Sequence, residues 1–248
     1  MNACLVTPAF CPSEQLHGML DRLRLLRTST VPHFILLNHW PFDEAANLDR
    51  CKALADEYGC IAYDSGGDLG LTGSLNNWLV NHPSFDMMIG FDADSNIDRR
   101  GFDQAFIDVM AAKPDLGMCA IKNPIIAGIS RHKLSEPMNI AGHNLCCLLY
   151  GQVEMWNVSA YDLNWLRVAG QFFQTYAYYG GIESGLHGKA MRDGKAFGFL
   201  MDWSELWQPI PQGEEVARQL ALYQVWKREH IAGDGSSLKD WLRVRGHL

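Results

Sequence analysis

Several familiar signatures are missing from this chain. Its seven cysteines, at positions 4, 11, 51, 60, 119, 146 and 147, form no CxxC pair and share no zinc-type spacing with histidine. An odd, scattered set of thiols argues against a disulfide framework and fits a reducing compartment. No apolar run reaches the ~20 residues that span a bilayer. The apolar stretch from Ala3 to Phe10 is broken by Thr7 and Pro8 and lacks a basic flank, so it is too weak for a signal peptide. A cytoplasmic protein is expected. Positive charge is also short. With 21 basic against 28 acidic residues the net charge is -7, which disfavours broad attachment to nucleic acid or anionic membrane. HExxH, GxSxG and the GK[ST] of a P-loop do not occur, so zincin, α/β-hydrolase and P-loop readings have no support.

What is present is the make-up of a soluble globular protein: 248 residues, 48% hydrophobic and 20% charged. The first hundred residues alternate short apolar runs with helical patterns, as a sheet with helices on its faces requires. Strands are expected at Cys4–Val6, Phe34–Leu37, Cys60–Tyr63, Met87–Phe91 and Gly117–Ile121. Between them, Leu16, Met19, Leu20, Leu23 and Leu26 recur at helical spacing after a Ser13 cap. Leu48, Cys51, Leu54 and Tyr58 do so after an Asp43 cap, and Gly59 stops that helix. From Lys122 to His143 the pattern turns irregular, and so long a loop is expected to be functional, folding over a ligand. Strands are expected again at Leu145–Tyr150 and Val153–Tyr161. Near the end of the chain Val216, Leu220, Tyr223 and Trp226 make an apolar stripe suited to packing or oligomer contact.

Asp92-Ala93-Asp94 is the first feature with chemical content. With eighteen aspartates in the chain, such a triplet is expected about once by chance. Its context is what matters: two carboxylates just past a buried strand can hold a hard divalent cation and, through it, a diphosphate. Ligands of open α/β sheets bind at that edge. The alternative is a solvated turn with helix-capping acids. The loop Gly66-Gly67-Asp68-Leu69-Gly70 has neither GxGxxG spacing nor an acid on a following strand at the dinucleotide distance, so by itself it reads as a flexible turn.

In order along the chain, these parts resemble the GT-A fold glycosyltransferases, especially the large family 2 type. The resemblance is carried by Asp68-Leu69-Gly70 with Asn76, by Phe91-Asp92-Ala93-Asp94, and by Gly170-Gln171-Phe172 with Tyr179-Gly180-Gly181-Ile182-Glu183, followed by Leu186, Lys189 and Gly194. It spans about residues 3 to 200. Ile182 stands where the family has the first acid of its ED pair, and Asn38 where an Asp often contacts the base.

The resemblance implies an α/β GT-A fold, Rossmann-like with α/β/α layers, plus C-terminal helices. Residues 1–121 would be the nucleotide-sugar half, 122–210 the acceptor-binding and catalytic half of the same domain, and 211–248 a helical extension. It implies metal-dependent transfer of a sugar, with inversion, from a nucleotide-sugar to an acceptor hydroxyl, a UDP-sugar being favoured. Asp94 and Asp92 would serve Mn2+ or Mg2+, with His187 as a third ligand and Asp202 as its rival. Thr7, Pro8, Ala9, Asn38, Asp68, Gly70, Asn76 and Asp92 would contact the donor. Glu183 would be the general base; its structural alternative is an acid favoured at a helix start. Trp165, Trp203 and Trp207 offer a sugar or base platform, against the commoner use of tryptophan in packing. The acceptor class stays open, modified nucleic acid included, and the C-terminal helices suggest a homo-oligomer. Two competitors remain: a nucleotidyltransferase on a related sheet, disfavoured because Thr7-Pro8-Ala9-Phe10-Cys11-Pro12 is not a GxGxR-like loop, and a catalytically silent nucleotide-sugar-binding module.

Overall fold

A computed structural model describes residues 1–37, 39–67, 69–93, 95–121, 133–150, 158–170, 182–204, 213–229 and 237–248, without the side chains of 150, 182–185 and 187. The chain begins with β1 (Ala3–Pro8), α1 (Ser13–Leu26), β2 (His33–Leu37), α2 (Glu44–Glu57), β3 (Ile61–Asp64), α3 (Gly70–Asn81), β4 (Met87–Phe91), α4 (Phe102–Ala112) and β5 (Leu116–Ile121). This regular alternation follows the apolar pattern closely, because each strand is an apolar run and each helix carries one apolar stripe. The helix starts differ from expectation. Ser13 is the first residue of α1, behind Pro12, and its N–H donates to the Asn47 side chain at 2.8 Å instead of its hydroxyl capping the helix. Asp43 precedes α2 with φ 49°, and its side chain makes no cap.

The irregular stretch after β5 is more ordered than its composition suggests. β6 (Lys133–Leu134) and β7 (Met138–Ile140) both pair antiparallel with β8 (His143–Tyr150), while 122–132 lie outside the described residues. β9 (Val158–Asp162) overlaps the end of the strand expected over Val153–Tyr161, of which 153–157 lie outside the described residues, and α5 (Leu163–Ala169), α6 (Ile182–Arg192) and β10 (Ala196–Leu200) follow. α7 (Glu214–Glu229) and α8 (Leu238–Val244) end the described chain.

The sheet runs β3-β2-β1-β4-β9-β5-β10-β8-β6, with β7 also on β8. β9 is wedged antiparallel between β4 and β5, Ala160 facing both Ile89 and Cys119. Since β5 and β4 both oppose β9, they run the same way, as do β1, β2, β3 and β10. The ends of these parallel strands therefore share one edge.

One face of the sheet is covered by α1, α2 and α4 through Leu16, Met19, Leu20, Cys51, Phe102 and Phe106. The other is covered by α3, α5 and α6 through Leu75, Trp78, Leu163, Leu166, Leu186 and Ala190. The result is an α/β/α sandwich. A third cluster joins Trp40 and Phe42 to Trp226, Leu238, Trp241 and Leu242. The apolar stripe of α7 thus packs inside the chain, and Trp226 is only 1% exposed. Among the described residues no helix is long and apolar enough to cross a membrane.

Candidate active site

Among the described residues, Pro8 at the end of β1, with Asp92 and Asp202 just past the ends of β4 and β10, lie at the common edge of the parallel strands. β4 ends at Phe91 and delivers Asp92, which is half-buried, and a turn closed by Ser95 N–H donating to the Asp92 carbonyl at 3.0 Å follows. Ala93 is buried, its carbonyl accepting from Arg22 at 3.4 Å. The chain beyond is tied to the segment after β10. Asp98 N–H donates to the Ser204 carbonyl at 3.0 Å, and Ser204 N–H donates to the Asp98 carboxylate at 3.1 Å. The Arg99 guanidinium lies 4.7 Å from the Trp203 ring. These contacts hold the Asp92 turn to the β10 side of the edge.

α6 turns into β10 within three residues, so it runs back along the sheet and its first turn sits at the same edge. That turn carries Glu183, with His187 one turn further on; both side chains lie outside the described set. β4 and β10 are separated by β9 and β5, three strand spacings or about 14 Å in the sheet plane. Asp94, Asn38 and Asp68 also lie outside the described residues.

Other expected donor contacts divide clearly. The Thr7 hydroxyl is buried, 2.9 Å from His33 Nε2, and faces the core instead of a ligand. Burial, with Arg27 nearby, lowers the His33 pKa to about 3, so its ring is neutral. Ala9 is buried, and its N–H donates to Leu36 at 2.8 Å; Pro8 is half-exposed at the edge. Gly70 opens α3 with φ +66°, and Asn76 lies half-buried on that helix. Asp202, the rival metal ligand, accepts from Asn144 N–H at 2.7 Å and from Asn144 Nδ2 at 2.8 Å. Both of its oxygens are thereby engaged. Trp165 is a packing residue, buried with its indole N–H on Asp193 at 2.8 Å; Trp203 is buried beside His143; Trp207 lies outside the described residues.

Among the described residues no three His, Cys, Asp or Glu side chains converge as a metal site. Asp92 stands at the open edge; Asp94 and the His187 side chain, expected from the sequence to join it, lie outside the described residues. Two carboxylates and one imidazole are chemically suited to Mn2+ or Mg2+.

Sequence reasoning missed one cluster. Just past β2, the His39 ring lies between two acids, Nδ1 2.9 Å from Glu44 and Nε2 3.0 Å from Asp64. Lys239 of α8 bonds Glu44, and Lys52 lies 3.5 Å from Asp64. Burial works against the charged ring, but the bonds and charges of Asp64 and Glu44 outweigh it and hold the His39 pKa above 6.5. The available signal was positional: Asp64 ends a parallel strand beside the turn that carries His39.

No protein-family model matches the chain, and no curated protein matches it in sequence. Its fold is nevertheless that of the GT-A glycosyltransferases. Mannosyltransferase PcManGT from Pyrobaculum calidifontis, in complex with GDP-Man and Mn2+, superimposes with a TM-score of 0.63 at 14% identity, over 99% of this chain and 69% of that one. Glucosyl-3-phosphoglycerate synthase from Mycobacterium tuberculosis, with Mn2+, UDP-glucose and glycerol 3-phosphate, gives 0.53 at 13% identity, over 91% and 79%. A nucleotidyltransferase, CMP:2-keto-3-deoxy-manno-octonic acid synthetase with CTP, is similar at 0.50 and 13% identity, over 92% and 100%.

Proposed function

We propose that the chain is a metal-dependent glycosyltransferase that moves a sugar from a nucleotide-sugar, a UDP-sugar being favoured, to an acceptor hydroxyl with inversion. The observation that carries this reading is topological: the Asp92 turn after β4 and the first turn of α6, bearing Glu183, open on the same strand edge of a GT-A sheet. The strands that lead to them, β4 and β10, lie three spacings apart in the sheet. The first half of the chain, 1–121, would hold the donor, and 122–210 would bring the acceptor.

The donor would lie along the ends of β1, β2 and β4. Pro8, Asn38, Asp68, Gly70 and Asn76 would border its nucleoside, with Asp92 on the ribose or the metal's hydration shell. Thr7 would help only by holding β1 in place, because its hydroxyl is on His33. Asp94, assisted by Asp92 and His187, would hold Mn2+ or Mg2+, whose chemistry is to neutralise the departing diphosphate. Glu183 would take the proton from the acceptor hydroxyl as that oxygen attacks the anomeric carbon. The N-terminal end of α6 favours the ionised carboxylate a base must be. Nucleotidyl transfer is the weaker reading, because the segment after β1 lacks a GxGxR-like loop.

A panel of nucleotide-sugars assayed by calorimetry with Mn2+ or with chelator tests the reading, joined to donor turnover. Wild type should bind one donor in a metal-dependent way and transfer or slowly hydrolyse its sugar, while Asp94→Asn should lose the metal dependence with the binding. Metal-independent binding by wild type overturns the ligand assignment, and binding with no turnover supports a silent module.

A further inference from the structure

We propose that α7 and α8 are a working part of the donor site, with Lys239 and Gln219 as positioning residues for the segment that follows β2. The proposal rests on the nucleotide-sugar reading of the strand edge and adds to it which distant residues set the shape of the donor's nucleoside end.

Local contacts in the segment between β2 and α2 include a backbone bond from Asn47 N–H to the Asp43 carbonyl at 2.8 Å and an exposed ion pair of Asp43 with Arg50 at 3.6 Å. Asp43 takes a left-handed φ of 49°, costly for a residue with a Cβ, and gives α2 no side-chain cap. Its buried anchors come from elsewhere. The Trp40 ring is buried, and its Nε1 donates to Gln219 Oε1 of α7 at 2.9 Å, across 179 residues of chain. Phe42 packs in the same cluster, with the Arg218 guanidinium 5.8 Å from its ring. Lys239 of α8 donates to Glu44, across 195 residues. That bond leaves the other Glu44 oxygen for His39, whose opposite nitrogen meets Asp64 at the end of β3. A continuous chain of polar contacts therefore runs from α8 to the edge of the sheet.

The loop after β1 is held in the same way. Phe10 stands 5.4 Å from Trp40 and 5.5 Å from Tyr223, ring centre to ring centre. Both segments that flank the ends of β1 and β2 thus lean on α7. A helix added merely for stability would be free to pack on either outer layer. These two instead contact the loops at the working edge, and through charged or hydrogen-bonded atoms as well as apolar ones. Removing Lys239 leaves Glu44 with His39 as its side-chain partner among the described residues, which frees the turn to follow whichever acid keeps the ring. Coupling through such networks typically amounts to a few-fold to about thirtyfold in affinity.

The test uses the full chain. Lys239→Met should weaken UDP binding in the presence of Mn2+ by about three- to thirtyfold in calorimetry, the range expected of such coupling. The turnover rate at saturating donor should stay within about twofold, because nothing near Glu183 has moved. Lys239→Arg should restore the affinity, and Gln219→Ala should lower it by an independent route. Arg243→Met, on the same helix and paired only with Asp240 among the described residues, should leave it unchanged. Far-UV circular dichroism confirms that each variant is folded. Wild-type affinity in both Lys239→Met and Gln219→Ala, or a loss confined to turnover, overturns the positioning role alone. A wild-type protein that binds no nucleoside diphosphate with Mn2+ overturns the transferase reading and this proposal together.

Discussion

Replacing His39 with glutamine should cost stability on the acid side of neutrality and progressively less above it. The His39 side chain is 19% exposed, and its partners Glu44 and Asp64 are 28% and 35% exposed. A hydrogen bond to a charged group contributes about 1.5 to 3 kcal/mol when buried, and an exposed ion pair about 0.2 to 1 kcal/mol. A ring mostly out of water between two partly wet acids falls between these limits, at about 1 to 2 kcal/mol in all. The direction of the pH effect follows from protonation. Both nitrogens of the charged ring donate, but on losing a proton one becomes an acceptor facing a carboxylate oxygen. The folded pKa of His39 is raised, so its contribution is complete below 6.5 and is lost as pH rises through the folded value. Glu44, chiefly through Lys239, has a lowered pKa. So has Asp64, where burial opposes the shift but the His39 and Gly66 bonds prevail. Their contributions are present above the ordinary carboxylate range and fade as pH falls through the lowered values. Urea unfolding of wild type and His39→Gln should show the full gap near about pH 6, where unperturbed histidine is mostly protonated, and a narrowing gap on the alkaline side. A gap that stays level as pH rises would refute the reasoning, because it would mean that the ring's charge plays no part.

Glu183→Gln should bind donor and metal nearly as wild type does while transferring sugar roughly a hundredfold or more slowly, the range set by loss of a general base; wild-type turnover would move the base elsewhere, with His187 first in line. Asp103 at the start of α4 is fully buried and takes the N–H groups of Thr28 and Ser29 at 3.0 and 2.9 Å and the Ser29 hydroxyl at 2.6 Å. Asp103→Ala orphans these donors and should lower unfolding stability by about 1.5 to 3 kcal/mol. A loss under about 1 kcal/mol in denaturant melts would show that the loop finds other partners.

The sheet strands and the helices of the first half were legible because their signal is local. Met87–Phe91 is an unbroken apolar run between polar neighbours, and the observed β4 has those bounds. The stripe Leu16, Met19, Leu20 and Leu23 marks the buried face of α1 for the same reason: burial of one side writes itself into residue spacing. Helix starts were less readable. Ser13 and Asp43 have the right chemistry for caps, yet neither side chain caps, since Asn47 takes the Ser13 N–H and Asp43 adopts a left-handed turn. The strand order was not legible either. Nothing in Val158–Asp162 marks it as the strand that enters between β4 and β5, because pairing depends on partners far along the chain.

The candidate site divides on the same line. The sequence by itself determined where the acids of Asp92-Ala93-Asp94 fall, one residue past an apolar strand, and that Glu183 opens a helix after a pair of glycines. Only the tertiary structure decided that these two points share an edge, that Thr7 turns its hydroxyl to His33, and that Asn144 takes both oxygens of Asp202. It also decided that Lys239, Glu44, His39 and Asp64 join into one network. The physical reason is range. Hydrophobic burial repeats along the chain and can be read from spacing, whereas a hydrogen bond or ion pair between residues nearly two hundred positions apart forms only after the packed core has brought their backbones together.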